Sequence, residues 1–401
     1  MAFFAKISRW MASLRSDATV VPYTGEPSFR DPNFGVNVTN SAALKVTALY
    51  AGIRIRSENI ASFPKYVKRK TDKGWENDTR HPAYRLINVR PNSYTNKFDF
   101  WNVINTWLDG WGNAYAVIEW DGYGNPVALH QVHPSWVSDI TIINGHKWYK
   151  IVAQNPKFAF LNGLYQDYQV LHFMLVTLDG IKGVNPIIQN AAALGKSIAT
   201  EKFASEFYEK GGNLRAVMTM DGHMDDDTFK RFMDHFKRSS KNYETPLLEY
   251  GIKYSQLSIN PVAAQLIQSE TMSLQDVCRI INIPPHMLAE LSHATFSNIE
   301  HQTIQFVQYS LRPTVKRLED ELEAKLFLGD EKDMYSVKFS LDGLLRGDTS
   351  ARSQYYHGAI LDGYMSRNEV RELEGFSRED GLDDFLYPLN TGVVGKTQEP
   401  E

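Results

Sequence analysis

Between Asn260 and Phe327 the chain carries two apolar periodicities separated by a proline pair, and this stretch restricts the fold more than any other. Val262, Leu266, Ile267, Leu274, Val277, Cys278 and Ile281 recur at steps of three and four, which predicts one amphipathic helix over residues 261–283. Pro284 and Pro285 stop it, because proline offers no N–H and pushes the residue before it out of the helical region. A short apolar turn, His286 to Leu291, follows. Ser292, His293, Ala294, Thr295, Phe296 and Ser297 are small and polar around one ring, with no periodicity that would bury them, and read as an exposed loop. Ser297, with Glu300 three residues on, makes a capping box for the next helix. Ile304, Val307, Leu311, Val315, Leu318, Leu322 and Leu326 then form one stripe. A helix over 298–327 would be about 45 Å long at about 1.5 Å per residue, with a kink expected where Pro313 removes a hydrogen bond.

Before this stretch the pattern is mixed. Phe3, Phe4, Ile7, Trp10, Met11 and Leu14 share a helical face opposite Lys6, Arg9 and Arg15, which fits a membrane-surface helix or an arm that docks on a neighbouring subunit or stays mobile. Residues 16–40 are polar and rich in turn formers. Residues 41–61 read as one helix with Leu44, Ala48, Leu49, Ile53 and Ile60 inward, followed by a strand at 65–70 and a turn at Asp72-Lys73-Gly74. His81 to Asn88 and Phe98 to Asp109 read as helices. From Asn113 the period becomes two, Asp121-Gly122 and Gly124-Asn125 turn the chain, and Val127 to Val132 returns, so a hairpin is expected. Further strands are expected at 137–143, 148–153 and 169–174.

Pro186 opens a helix running to Lys210 and ending at Gly211-Gly212. A strand at 216–220, a helix at 225–238 and strands within 247–257 make a compact insert. Beyond Phe327 come a strand at 335–341, a helix at 349–361, a second helix opened by the capping box of Ser366 and Glu369, and a polar tail from Asn390.

The chain has 401 residues, 43% of them apolar, enough for two or three domains with ordinary cores. Lys plus Arg number 43 and Asp plus Glu 47, a net charge of −4, which argues against a protein that grips nucleic acid through many phosphates. Cys278 is the only cysteine, which rules out an intrachain disulfide and a cysteine-based zinc site and suits a reducing compartment. No run approaches the roughly 20 apolar residues needed to span a membrane.

Arg279-Ile280-Ile281-Asn282-Ile283-Pro284-Pro285-His286-Met287-Leu288 followed by Ala294-Thr295-Phe296-Ser297-Asn298-Ile299-Glu300 resembles the signature of portal proteins of long-tailed double-stranded DNA bacteriophages. His81-Pro82 with Leu86 and Arg90-Pro91-Asn92, Gly112-Asn113-Ala114-Tyr115, and Leu341-Asp342-Gly343-Leu344-Leu345-Arg346-Gly347-Asp348 fall in the family's order, so the resemblance covers roughly residues 41–376. It implies an α+β portal-type subunit: N-terminal arm 1–40, α+β wing 41–185, stem helix 186–212, small α/β clip 213–259, second stem helix 260–283, tunnel-loop region 284–298, long kinked helix 299–330, wing return strand and helical crown side 331–389, and flexible tail 390–401. It further implies that Ser292, His293, Ala294, Thr295, Phe296 and Ser297 touch DNA in the channel. Asp225, Asp226, Asp227, Lys237, Arg238 and Lys241 would meet partners at the clip. The implied assembly is a homo-oligomeric ring, a dodecamer in the particle, with double-stranded DNA passing through it. Its partners would be the terminase large subunit, a head-tail adaptor and the major capsid protein. The protein would be a non-enzymatic virion component, assembled in the host cytoplasm, with no cofactor, metal or membrane.

Competing readings attach to particular residues. Gly195-Lys196-Ser197 suggests a nucleotide-dependent DNA-handling enzyme, but a phosphate loop needs a glycine at position 190, where Asn190 stands, and a strand leading in. His223 with Asp225, Asp226 and Asp227 suits a helix N-terminus better than a metal. Cys278 lies on an apolar face, which favours packing over nucleophilicity. The loop at 292–297 could be a plain interhelical connection. Another ring-forming head-tail connector, or a portal from a domesticated prophage particle, would share the same pattern.

Overall fold

The computed structural model describes residues 28–30, 36–72, 74–209, 216–219, 225–241, 253–256, 274–289, 302–341, 349–374 and 376–386. Two short strands, β1 (Ser28–Arg30) and β2 (Asn37–Thr39), pair antiparallel at its start. The single helix expected over 41–61 is two, α1 (Asn40–Ala43) and α2 (Thr47–Ser62). Long-range polar contacts account for the break. Asn40 is fully buried, donates to Gly110 O at 2.6 Å and accepts from Asn185 at 2.9 Å, while Val46 turns to an extended ψ of 113° before Thr47 restarts the helix. Leu49, Ile53 and Ile60 are buried as their spacing requires.

Strands β3 (Lys65–Thr71) and β4 (Gly74–Asn77) pair, and α3 (Pro82–Asn88) and α4 (Lys97–Trp111) follow. All four residues of β4 are exposed, so it carries no alternation by which to recognise it. The expected hairpin forms from β5 (Asn113–Trp120) and β6 (Pro126–Val132), with the Asp121 carboxylate accepting the N–H groups of Tyr123 and Asn125 at 2.9 and 2.8 Å. Strand β5 is buried on both faces. Ala114, Ala116 and Ile118 enter the main core, whereas Tyr115 and Val117 enter a second core beside β7 (Val137–Ile143), β8 (His146–Ile151) and β9 (Gly163–Gln166). Strand β10 (Val170–Met174) pairs with the other edge of β5, giving the order β10-β5-β6.

The helix expected from Pro186 to Lys210 is also two, α5 (Pro186–Gln189) and α6 (Ala191–Glu209). Asn190 between them leaves helical geometry at φ −108° and ψ 25° and bonds back to Pro186 O at 2.8 Å. Strands β11 (Ala216–Thr219) and β12 (Lys253–Gln256) pair with each other, and α7 (Asp226–Lys241) lies between them in the chain. Helix α8 spans 274–281, and residues 261–273, expected to be helical, lie outside the described residues. Helical turns at 302–305 and a π-helical segment, Phe306–Leu311, lead into α9 (Arg312–Leu326). Strand β13 (Tyr335–Phe339) pairs with β3, giving β13-β3-β4. Helices α10 (Thr349–Leu361) and α11 (Arg367–Leu373) follow, the second opened by the expected box, in which Ser366 Oγ accepts from Glu369 N at 3.1 Å and Glu369 accepts from Ser366 N at 2.7 Å.

Helix α9 lies between two sheet edges and completes both. A sheet edge presents unpaired N–H and C=O groups that must find partners when buried. On one side Glu319 and Glu323 accept the N–H groups of Phe339 and Val337 at 2.8 and 3.1 Å, closing the free edge of β13. Two residues along, a rotation of roughly 200° puts Glu321 and Lys325 on the opposite side. There Glu321 accepts His172 N at 2.8 Å and Lys325 Nζ donates to Val170 O at 3.0 Å, closing the edge of β10. Val307, Leu311, Val315, Leu318, Leu322 and Leu326 are at most 2% exposed, but Ile304, placed inward by the same stripe, is 48% exposed. The π segment explains the correction: its wider turn shifts the register ahead of it, and Phe306 takes the buried position.

Candidate functional site

Asn282, next after α8, stands at φ 51°, a left-handed conformation that asparagine tolerates. Ile283 N then reaches back to Cys278 O at 3.0 Å, the closing bond of a Schellman motif, so the helix ends before the prolines are reached. The Asn282 side chain donates to Tyr309 O at 3.0 Å. That carbonyl lies four residues before Pro313, which has no N–H to offer it. A side chain from one arm of the site thus satisfies the group orphaned in the other.

Pro284 and Pro285 lead into a 3₁₀ turn, Pro285–Leu288, which ends at Ala289 with φ 64°. His286 Nδ1 donates to Gln302 Oε1 at 2.6 Å. This bond joins the described residues that precede and follow 290–301. Ser292, His293, Ala294, Thr295, Phe296 and Ser297, and the Ser297–Glu300 box, lie outside the described residues.

The clasp rests on a rigid floor. Arg56 on α2, 4% exposed, grips Asp109 on α4 with two hydrogen bonds of 2.9 and 3.1 Å, donates to Thr314 Oγ1 at 3.1 Å and also bonds Ser310 Oγ. One guanidinium fork thereby joins α2, α4, the π segment and α9. Gly52 lets Ile281 approach, since a Cβ there would lie 1.9 Å from Ile281 Cδ1. Cys278 is 6% exposed within the main core, as its apolar face requires.

Other motif residues turn out to hold backbone in place. His81 Nδ1 accepts Ala83 N at 3.1 Å and caps α3. Asn92 accepts Thr95 N at 2.8 Å and donates to Leu129 O at 2.8 Å. Gly112 at φ 73° has no room for a side chain, because a Cβ would lie 2.0 Å from Val184 O. Asn113 then accepts Gly183 N and donates to Gly183 O, both at 2.7 Å, and takes a third bond from His172 Nε2 at 3.0 Å. Burial, with Lys147, Lys325 and Lys182 nearby, holds the His172 pKa well below its ordinary value, so the ring is neutral, donating from Nε2. Burial also raises the Glu321 carboxyl, against the opposing pull of Lys325.

Asp225 is exposed at the start of α7, where its carboxylate accepts Thr228 N at 3.2 Å. Hydrogen bonds from Thr228 hold its pKa below the ordinary value. Asp226 and Asp227 occupy the first turn of the helix, where carboxylates suit its dipole. Lys237, Arg238 and Lys241 belong to the far end of α7, roughly 17 to 22 Å along the axis from Asp226 at about 1.5 Å per residue, so these two sets of residues lie at opposite ends of the helix. Gly195, Lys196 and Ser197 lie within α6, where Ser197 Oγ donates to Ala193 O at 3.2 Å; their amides serve the helix rather than a phosphate cradle. Among the described residues no group of three or more His, Cys, Asp and Glu side chains is placed to hold a metal.

The Arg56 fork, the α9 carboxylates and the Asn282 and His286 clasps escaped the sequence reading. Glu319, Glu321, Glu323 and Lys325, charged at every second position of a helix whose stripe demands burial, were the available signal.

The family model for the phage portal protein matches residues 47–375. The chain is 28% identical over 384 residues to the probable portal protein of Streptomyces phage phiC31, covering 91% of this chain and 82% of that one. It is 22% identical over 355 residues to the portal protein of Enterobacteria phage HK97, covering 86% and 82%. Its fold resembles a chain in the neck of a native gene transfer agent particle computed with C12 symmetry, with a TM-score of 0.58 at 15% identity over 89% of this chain and 97% of that one. With a family match across most of its length, the chain belongs to the phage portal protein family.

Proposed function

We propose that this chain is the repeating subunit of a ring, twelvefold in the particle, at one capsid vertex, and that double-stranded DNA is packaged and ejected through its axis. The family match over residues 47–375 carries this reading, and the C12 symmetry of the gene transfer agent neck supports the ring. In that ring residues 41–185 form the wing, 186–212 and 260–283 the stem, 213–259 the clip and 331–389 the return strand and crown side. The clip meets the terminase large subunit and the head-tail adaptor, and the major capsid protein surrounds the ring. The loop from Ser292 to Ser297 projects toward DNA from a base closed by His286 and Gln302. The role is structural, with ATP turnover left to the terminase and assembly taking place in the host cytoplasm.

Mass measurement of the purified chain tests the reading directly. Large closed rings without ATP hydrolysis are expected. A monomer or dimer at every protein and salt concentration, or ATP turnover by the pure chain, would overturn it.

A further inference from the structure

Where the chain leaves β10 it makes a tight loop with two apolar residues, Val176 and Leu178, exposed on it. Leu175 N is tied to Gly112 O at 3.0 Å, Val184 N to Val176 O at 2.7 Å, and Thr177 and Gly183 form a bridge that closes the neck. Within the loop Asp179 accepts the N–H groups of Ile181 and Lys182 at 2.8 and 3.1 Å, Thr177 Oγ1 accepts Gly180 N at 2.9 Å, and Lys147 Nζ donates to Gly180 O at 3.0 Å. This rigid knob carries Leu178 at 86% exposure and Val176 at 63%. A preorganised loop loses little conformational freedom when its tip docks.

A groove of about 860 Å³ lies on the other side of α9, where Tyr66, Ile304, Tyr364 and Leu373 line it together with charged side chains such as Arg312 and Glu369. Ile304, Tyr364 and Leu373 are 48%, 55% and 39% exposed there. The bonds from α9 to the two sheet edges fix the relation between knob and groove. Val170 meets Lys325 and His172 meets Glu321, so β10 runs antiparallel to α9; Val337 meets Glu323 and Phe339 meets Glu319, so β13 does the same on the opposite side. Both strands therefore emerge at the level of the N-terminal end of α9. The chain after β10 forms the knob on one flank, and the chain after β13 borders the groove on the other.

A head-to-tail ring needs two different patches that complement each other, carried at one level on opposite flanks of the same chain. We propose that the knob of one subunit, led by Leu178 and Val176, seats in the Tyr66–Ile304–Tyr364 groove of a second copy of this chain and that this contact closes the ring. The inference rests on the ring reading above and assigns its interface.

Two variants test it by native mass spectrometry and oxidative cross-linking of the full chain. Leu178→Asp removes a side chain that no core contains, so the subunit's melting is expected to stay unchanged while each interface weakens by about tenfold or more, with loss of closed rings. Leu178→Cys combined with Ile304→Cys is expected to give, on mild oxidation, a covalent ladder longer than either single variant gives. Rings at the wild-type level in Leu178→Asp, or no longer ladder in the double variant, overturn the assignment while the portal reading stands. A wild-type chain that never forms rings overturns the portal reading itself, and the interface with it.

Discussion

Lys65 shows how a single residue can tie stability to pH. It opens β3 at 5% exposure, where its ammonium donates to Ala61 O at 3.0 Å and Phe63 O at 2.8 Å and lies 5.4 and 5.0 Å from the rings of Trp101 and Phe339. The two carbonyls belong to the end of α2, so the side chain caps that helix from outside it. Burial, reinforced by Lys97, lowers its pKa from 10.5 to about 7. In the unfolded chain the amine holds its proton up to its ordinary pKa, whereas in the folded chain it releases it near neutrality. Between those limits the unfolded state binds more protons, so stability rises with pH, and the cost of holding the charge is fully present below about pH 7. Lys65→Met keeps the apolar stem and removes the titration. Wild type is expected to gain on the order of 1 kcal/mol per pH unit relative to the variant between pH 7 and 9. Urea unfolding of both proteins across that range measures the difference, and parallel curves would refute it.

At the scale of elements, what the sequence disclosed was what local pattern encodes. The hairpin of β5 and β6 was legible because period two and the Asp121 turn agree, and α11 was legible because Ser366 and Glu369 stand three apart. The break between α1 and α2 was not, since Asn40 is held by Gly110 and Asn185, far away in the chain. Pro313 suggested a kink at its own position, whereas the irregularity found is a π segment ahead of it, Phe306–Leu311, and the Asn282 bond to Tyr309 comes from a second element. Helix α7 presents the opposite case, with function expected from exposed charge. Asp225, Asp226 and Asp227 are exposed at one pole, and Lys237, Arg238 and Lys241 belong to the other. As proposed clip contacts, they are expected to tolerate charge reversal without loss of ring assembly, while motor or adaptor binding falls; complementary charge governs encounter more than folding. Pull-down of terminase and adaptor by rings of Asp226→Lys/Asp227→Lys would check this, and rings that no longer form would mean the pole is structural.

For the whole molecule, α9 decides how the parts move together. Its Glu319 and Glu323 hold the sheet of β13, and its Glu321 and Lys325 hold the sheet of β10. The Arg56 fork fastens its N-terminal approach to α2 and α4. The base of the proposed tunnel loop, closed by His286 and Gln302, is followed after residues 303–305 by the π segment that leads into α9. Deleting His293 to Phe296 shortens the connection between those two residues from 15 to 11 positions, which changes loop-closure entropy by only about 0.3 kcal/mol. Melting and ring formation are expected to survive the deletion, while the DNA retained per particle changes, since only the part proposed to reach the channel is removed. Quantifying packaged DNA in particles built with the deletion separates the outcomes. Wild-type retention would show that the loop does not touch DNA, and a chain that fails to fold would place Phe296 in the core instead of the channel.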